Sequence, residues 1–150
     1  MATKFTEIYN RAMFRFTDFG FLNIYAEKRD EIMRNFLMSA IADFKHSCSV
    51  DLTDFKLDEE NGDEFNNDVG FEEQEILACG VAYYWLSQKA LNTELLRNSM
   101  TRKDYTTYSP ANLLDRITAL RDSLKSEFRA KINEYSYRHG TLGDIKADDN

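Results

Sequence analysis

The residues from Ile76 to Leu86 are apolar on almost every side and include the only tryptophan of the chain, Trp85. A helix without a polar face has to be covered by other elements all the way round. Eleven residues are too few to cross a bilayer, which needs about 20. The run therefore predicts the central helix of a small helical domain, with the other elements packed around it.

Composition agrees with one folded domain. The 150 residues are 43% hydrophobic and 30% charged, which suits a single domain spanning residues 1–150. One proline and six glycines favour long helices over a turn-rich architecture. The N-terminus lacks the basic and apolar regions of a signal peptide, so we expect Cys48 and Cys79 to be free thiols.

Hydrophobic periodicity predicts an all-α fold, a small four-helix-type bundle over residues 1–140 with a flexible tail at 141–150. The predicted helices cover about 5–18, 26–46, 72–98 and 109–140, the first of them ending near Asp18–Gly20. Ser109 and Pro110 are typical of a helix start, as N-cap and first helical residue. Gly80 lies inside the third helix, which costs about 1 kcal/mol relative to alanine and indicates close approach of another helix. The fourth helix has one narrow apolar stripe: Leu113, Ile117, Leu120, Leu124, Phe128, Ile132 and Tyr135.

Charge is distributed unevenly along the chain. The net charge is −7, yet Asp51 to Glu75 carries eleven acids and one base, while Arg97 to Arg138 carries nine bases and five acids. We expect a long acidic loop between helices 2 and 3, with either a short extended piece or a hairpin where apolar and polar residues alternate, at Val50–Leu52 and Asp54–Leu57. Surfaces of opposite charge suit docking to a partner or to a second copy. A solvated loop and a solvated helix face would give the same pattern.

The motifs of catalysis and metal binding are missing from the sequence. His46 and Cys48 are two residues apart and would point in different directions on a helix, and no zinc-ligand spacing occurs. The acidic loop fails the EF-hand pattern at both of its glycines, Gly62 and Gly70. His139 lies at the predicted end of a helix, where it is commonly structural. We therefore expect a protein that is not an enzyme and has no metal or other cofactor.

Two groups of aromatic and basic residues are candidate interfaces, because Tyr and Arg combine a large contact area with polar groups. One group lies in the connector before the fourth helix and the other at the end of that helix. Their members are Arg102, Lys103, Tyr105 and Tyr108 in the first, and Tyr135, Tyr137 and Arg138 in the second. From the residues alone, tyrosines that only cover the ends of the bundle are an equal interpretation.

Six segments share a recognisable pattern: Ile8–Ala12, Ala42–Phe44, Glu75–Ser87, Leu95–Asn98, Lys103–Leu114 and Tyr135–Gly140. In these segments the chain resembles the head–tail connector (adaptor, or neck) proteins of tailed phages and prophages of Gram-positive bacteria. The resemblance extends over most of the chain outside the acidic loop and the last ten residues. The match is one of pattern and contains no catalytic signature.

The resemblance implies a structural virion protein of the neck, assembled in the host bacterial cytoplasm. Copies would form a ring, commonly of twelve, that binds the portal protein, extends the DNA channel and carries the next neck, stopper or tail protein. The two aromatic and basic groups would contact the portal or neighbouring subunits. No membrane would be among the partners. DNA would pass without sequence-specific binding.

The position of the acidic loop in such a ring is a separate hypothesis. An acidic lumen would repel DNA phosphates and keep the genome mobile. We expect five residues to line or rim the channel: Asp58, Glu59, Glu60, Asp63 and Glu64. The alternative function is a small helical DNA-binding or regulatory adaptor, for which the fourth helix is the only candidate recognition helix.

Overall fold

The computed structural model describes residues 2–15, 26–99 and 110–139. These residues form three short strands and four helices: β1 (Thr3–Lys4), α1 (Phe5–Met13), α2 (Ala26–Phe44), β2 (Phe55–Lys56), β3 (Glu64–Phe65), α3 (Phe71–Ser99) and α4 (Pro110–His139). The protein is therefore mostly helical, as predicted, and has a small sheet in addition. The predicted N-cap Ser109, the predicted helix end Gly140, the connector at 100–108 and the tail at 141–150 lie outside the described residues.

Helix α3 is the centre of the fold, and α1, α2 and α4 all pack on it. Every residue from Ile76 to Ala82 is buried, so this part of the helix is covered on all sides. The central position predicted from the apolar run is confirmed. Tyr83, Tyr84 and Trp85, which follow, are only partly buried and pack against the edge of the core.

Gly80 lies where α2 and α4 come closest to the backbone of α3. A Cβ atom at this position would lie 2.7 Å from the Cβ of Ala40 and 2.8 Å from the ring of Phe128. Carbon atoms in contact normally lie about 3.5–4.0 Å apart, so only glycine fits between these two helices. The close approach predicted at Gly80 is confirmed.

The predicted acidic loop contains a small antiparallel sheet with strand order β1-β3-β2. In its register, Phe65 of β3 lies opposite Thr3 of β1 and Phe55 of β2. The ring centroids of Phe5 and Phe65 are 4.7 Å apart, and Leu52 and Val69 are also buried. The segment is thus attached to the core by a few apolar side chains, although most of its residues are polar.

Helices α1, α2 and α4 all contribute buried apolar residues to the core, and the apolar stripe predicted for α4 is largely buried. On α4, Ile117, Leu124, Phe128 and Tyr135 are buried and Leu120 is 43% exposed, so Leu120 was assigned to the core wrongly. Helix α2 ends at Phe44, earlier than the predicted 46, in a turn where the amide of Cys48 bonds to the Phe44 carbonyl. Among the described helices, none combines the length and apolar character needed to span a membrane.

Candidate interaction surfaces

The tip of the β2–β3 hairpin is organised by Asp58. Its carboxylate accepts hydrogen bonds from the amides of Glu60 (2.9 Å) and Asn61 (3.1 Å) and from the Asn61 side chain (3.2 Å). These bonds hold the pKa of Asp58 well below its usual range. Gly62 closes the turn with φ of +88°, a conformation that favours glycine. Asp58, one of the predicted channel residues, is therefore engaged within the turn.

Asp63 joins the hairpin to α2. One carboxylate oxygen accepts the amide of Asp58 at 3.0 Å and the other pairs with the Arg34 guanidinium at 2.7 Å. Only 9% of the Asp63 side chain is exposed. Both of its oxygens are thus used inside the protein, and the channel position predicted for Asp63 stays a prediction that these contacts do not favour.

The other three acids predicted to face the channel are more accessible. Glu59 and Glu60 are exposed at the hairpin tip, and no hydrogen bond or ion pair is formed by their side chains in the described part of the chain. Glu64 is partly buried on β3, where the register places it between Lys4 of β1 and Lys56 of β2. Opposite charges at such cross-strand positions stabilise a sheet. Glu59 and Glu60 thus remain the available charges of the hairpin, and a channel position for them stays a prediction.

Glu75, near the start of α3, binds two arginines, one in α1 and one just after the end of that helix. Arg11 reaches it at 2.7 Å and Arg15 at 3.0 Å, and Arg15 also pairs with Glu127 of α4 at 2.8 Å. Burial opposes ionisation of Glu75, but the hydrogen bonds from the two arginines outweigh it and lower its pKa. This network connects α1, α3 and α4. From the sequence alone, its charged residues would be assigned to an exposed surface.

Tyr135 belongs to the core and not to an interface. Its side chain is fully buried, and its ring packs edge-on against Phe44 at 5.1 Å. The hydroxyl donates to Glu73 at 3.0 Å, which leaves its lone pairs to accept the amide (3.2 Å) and hydroxyl (2.6 Å) of Ser49. Burial, with the bond to Glu73, raises the pKa of Tyr135 to about 12. The interface role predicted for Tyr135 is corrected on these grounds.

The other members of the two predicted aromatic and basic groups have different surroundings. Tyr137 is 50% exposed, and Arg138 pairs with Glu72, which also lies 3.3 Å from the ring of His139. These contacts bind the end of α4 to the start of α3. Arg102, Lys103, Tyr105 and Tyr108 lie outside the described residues, so their predicted interface role stays a prediction.

A groove of about 420 Å³ lies between α2 and α4, which both pack on α3 but make few contacts with each other. Its floor contains Tyr83 and Tyr84, whose ring centroids are 4.9 Å apart. The Tyr84 hydroxyl donates to Asp43 of α2; burial, followed by this bond, raises the pKa of Tyr84. Lys125 and Arg129 line the α4 side. The groove depends on the spacing of two helices, which local sequence patterns do not report.

Two phenylalanines are exposed to solvent, one where α1 ends and one where α3 begins. Phe14 is 92% exposed and Phe71 is 77% exposed. The guanidinium carbon of Arg11 lies 5.0 Å from the centre of the Phe71 ring, a cation–π geometry. Phe14 and Arg11 also line one surface depression together with Gln74. Phe14 follows the last residue of α1 and lies off the buried face of that helix, which is formed by Phe5, Ile8, Tyr9 and Ala12.

The described residues contain no cluster of three or more His, Cys, Asp or Glu side chains placed to hold a metal ion. Cys48 and Cys79 are free thiols, as predicted. Burial raises the pKa of the Cys79 thiol to about 11, which keeps it protonated and unreactive at neutral pH. Comparison with protein-family models, curated proteins and solved structures gives no match for this chain.

Proposed function

We propose that the protein is a head–tail connector of a tailed phage or prophage, a four-helix-type protomer that joins copies of itself beneath a portal protein. The support is the resemblance of its helical segments to that family, together with the surfaces described above. In this role it extends the DNA channel and presents a platform to the next neck or tail protein, and its work is done by protein contacts.

The exposed surface of Phe14 and Phe71 is the observation that carries the proposal furthest. Large apolar side chains left open in a folded protein commonly mark a site of protein association. Aromatic residues and arginine are also the usual anchors of such sites, and here Arg11 lies beside Phe71. We assign this surface to contact with the portal protein.

The internal ion pairs favour a preformed surface. Arg11 and Arg15 connect α1 to α3, and Arg15 continues to Glu127 of α4. Phe14 lies directly before Arg15, so the chain that carries this aromatic ring is held from both neighbouring helices. A surface that is ordered before binding loses less conformational entropy when the partner arrives.

Binding to the portal protein of the same genome tests the proposal. The purified protein is mixed with portal rings, and complexes are measured by sedimentation and viewed by electron microscopy. We expect a ring stacked on the portal, and at least a tenfold weaker binding for Phe14→Ser/Phe71→Ser, since each anchor contributes more than about 1 kcal/mol. Leu120→Ser is the matched control, because Leu120 is another exposed apolar residue on a different part of the surface.

Three results would speak against the connector function. One is absence of portal binding by the unmodified protein, and another is equal binding by the double variant and the parent. The third is salt-sensitive binding to double-stranded DNA by the purified protein, which would favour the DNA-binding adaptor instead. Circular dichroism on each variant separates loss of binding from loss of fold.

A further inference from the structure

The groove between α2 and α4 has an aromatic floor and a basic side. Phe128 and Ile132 of α4 join the two tyrosines in lining it. Its volume of about 420 Å³ lies within the range of about 300–1,000 Å³ that is usual for ligand pockets. Helix α3 is buried from Ile76 to Ala82, and the two tyrosines that follow are partly exposed in this groove.

The charges of the groove favour an acidic occupant. Lys125 and Arg129 form no ion pair within the part of the chain that the structure describes, and Arg129 is exposed. The one carboxylate in the lining, Asp43, accepts the hydroxyl of Tyr84. The two cations are therefore available to a carboxylate from outside the molecule.

The hairpin tip has the complementary chemistry. Glu59 and Glu60 are exposed there, and the turn beneath them is held in one shape by Asp58 and Gly62. The tip is thus a short, ordered projection with two unpaired carboxylates. Such a projection can enter a groove without a large loss of conformational entropy.

The hairpin and the groove lie on opposite sides of α2. Arg34 of α2 points to the hairpin, where it binds Asp63, and Asp43 of α2 lines the groove. Nine residues separate them, which is about two and a half helical turns and so about half a revolution. The hairpin of one molecule therefore lies on the other side of α2 from its own groove.

We propose that the hairpin tip of one copy docks in the α2–α4 groove of the next copy, with Glu59 and Glu60 facing Lys125 and Arg129. This contact joins two different surfaces, so it is head-to-tail and can close into a ring. Closure into a ring rests on the proposed connector function; the contact between two copies does not. The hairpin then lies between subunits, in place of the channel position predicted from sequence.

Charge reversal tests the contact in solution. Glu60→Lys and Arg129→Glu should each weaken self-association at least about tenfold in analytical ultracentrifugation, because attraction becomes repulsion. Mixing the two variants should restore it, since the reversed tip of one fits the reversed groove of the other. Asp68→Lys and Arg116→Glu are the matched controls, since both residues are exposed and both changes reverse one charge. Equal loss in the controls, or no recovery on mixing, would overturn the proposal.

Cross-linking tests the geometry and captures a weak contact. A chain carrying both Glu60→Cys and Asn133→Cys, oxidised with diamide, should give a ladder of dimers, trimers and larger species. A mixture of the two single variants should stop at dimers, and the parent reports any background from Cys48 and Cys79. Absence of cross-links, or dimers alone from the double variant, means that the tip does not meet the groove head-to-tail. A ladder without portal binding would refute the connector function and support this contact. Portal binding without a ladder would support the connector function and refute this contact.

Discussion

Gly80 offers the sharpest test of the packing, because the substitution Gly80→Ala should improve the helix and damage the fold. Alanine in a helix interior is favoured over glycine by about 1 kcal/mol. Against this gain, the new Cβ would lie 2.7 Å from the Cβ of Ala40 and 2.8 Å from the Phe128 ring. The Ala40 Cβ cannot rotate away, so α2 would have to shift by about 1 Å to reach a normal contact distance.

The expected net effect is a loss of about 1–3 kcal/mol in the free energy of unfolding. Extra methyl groups in a packed core cost about 1–3 kcal/mol, and sometimes more, and Gly80 meets two helices at once. Two contacts place the cost at about 2–4 kcal/mol, and the gain in helix propensity offsets about 1 kcal/mol of it. For a protein of this size the midpoint of thermal unfolding should fall by roughly 2–12 °C.

Urea unfolding followed by circular dichroism measures this change, with an unchanged m-value as the sign that only stability is altered. The variant Ala40→Gly/Gly80→Ala is the control, since it removes the closest of the two contacts. The two substitutions should therefore be less destabilising together than the sum of their separate effects. A Gly80→Ala protein as stable as the parent would refute the close packing of α2 on α3.

Three further predictions concern single side chains. Tyr135→Phe should lower the free energy of unfolding by about 1–2 kcal/mol in urea titration, because it removes a buried hydroxyl with three partners. Cys48 should react with Ellman's reagent at pH 8 before Cys79, whose buried thiol with pKa about 11 should react only on unfolding. The pKa of Glu75 is lowered in the fold, so its contribution to stability is present above its unfolded pKa of about 4.3 and is lost as pH falls through the folded value. Acid unfolding below about pH 4 should therefore depend less steeply on pH in Glu75→Gln.

Local patterns in the sequence were enough to predict most of the helices and the place of α3. The run Ile76–Leu86 is apolar all round and too short to span a membrane, so it has to be buried by other elements. The glycine within it indicated close approach of another helix. Tyr135 was open to two interpretations, since it completed the apolar stripe of α4 and also stood beside exposed polar residues. The stripe was the better guide, because periodicity reports which face is buried.

Other features depend on contacts between distant parts of the chain. The sheet pairs β1, at residues 3 and 4, with β3, at residues 64 and 65, and two-residue strands leave almost no periodic signal. The groove depends on how far apart α2 and α4 settle on α3. Neither arrangement can be derived from a window of sequence, and both decide where the candidate surfaces lie.

The acidic segment shows why a charge count is a poor guide to a surface. Eleven acids lie between Asp51 and Glu75, yet seven of them are hydrogen-bonded or paired within the described protein, and the arginines at positions 11, 15, 34 and 138 pair with three of these seven. The remaining charge is concentrated where the chain turns, at Glu59 and Glu60, and not spread over a broad face. A contact made there has few charges and an aromatic floor to bind against. Its strength should come chiefly from buried tyrosine surface, with the carboxylates selecting which groove the tip enters.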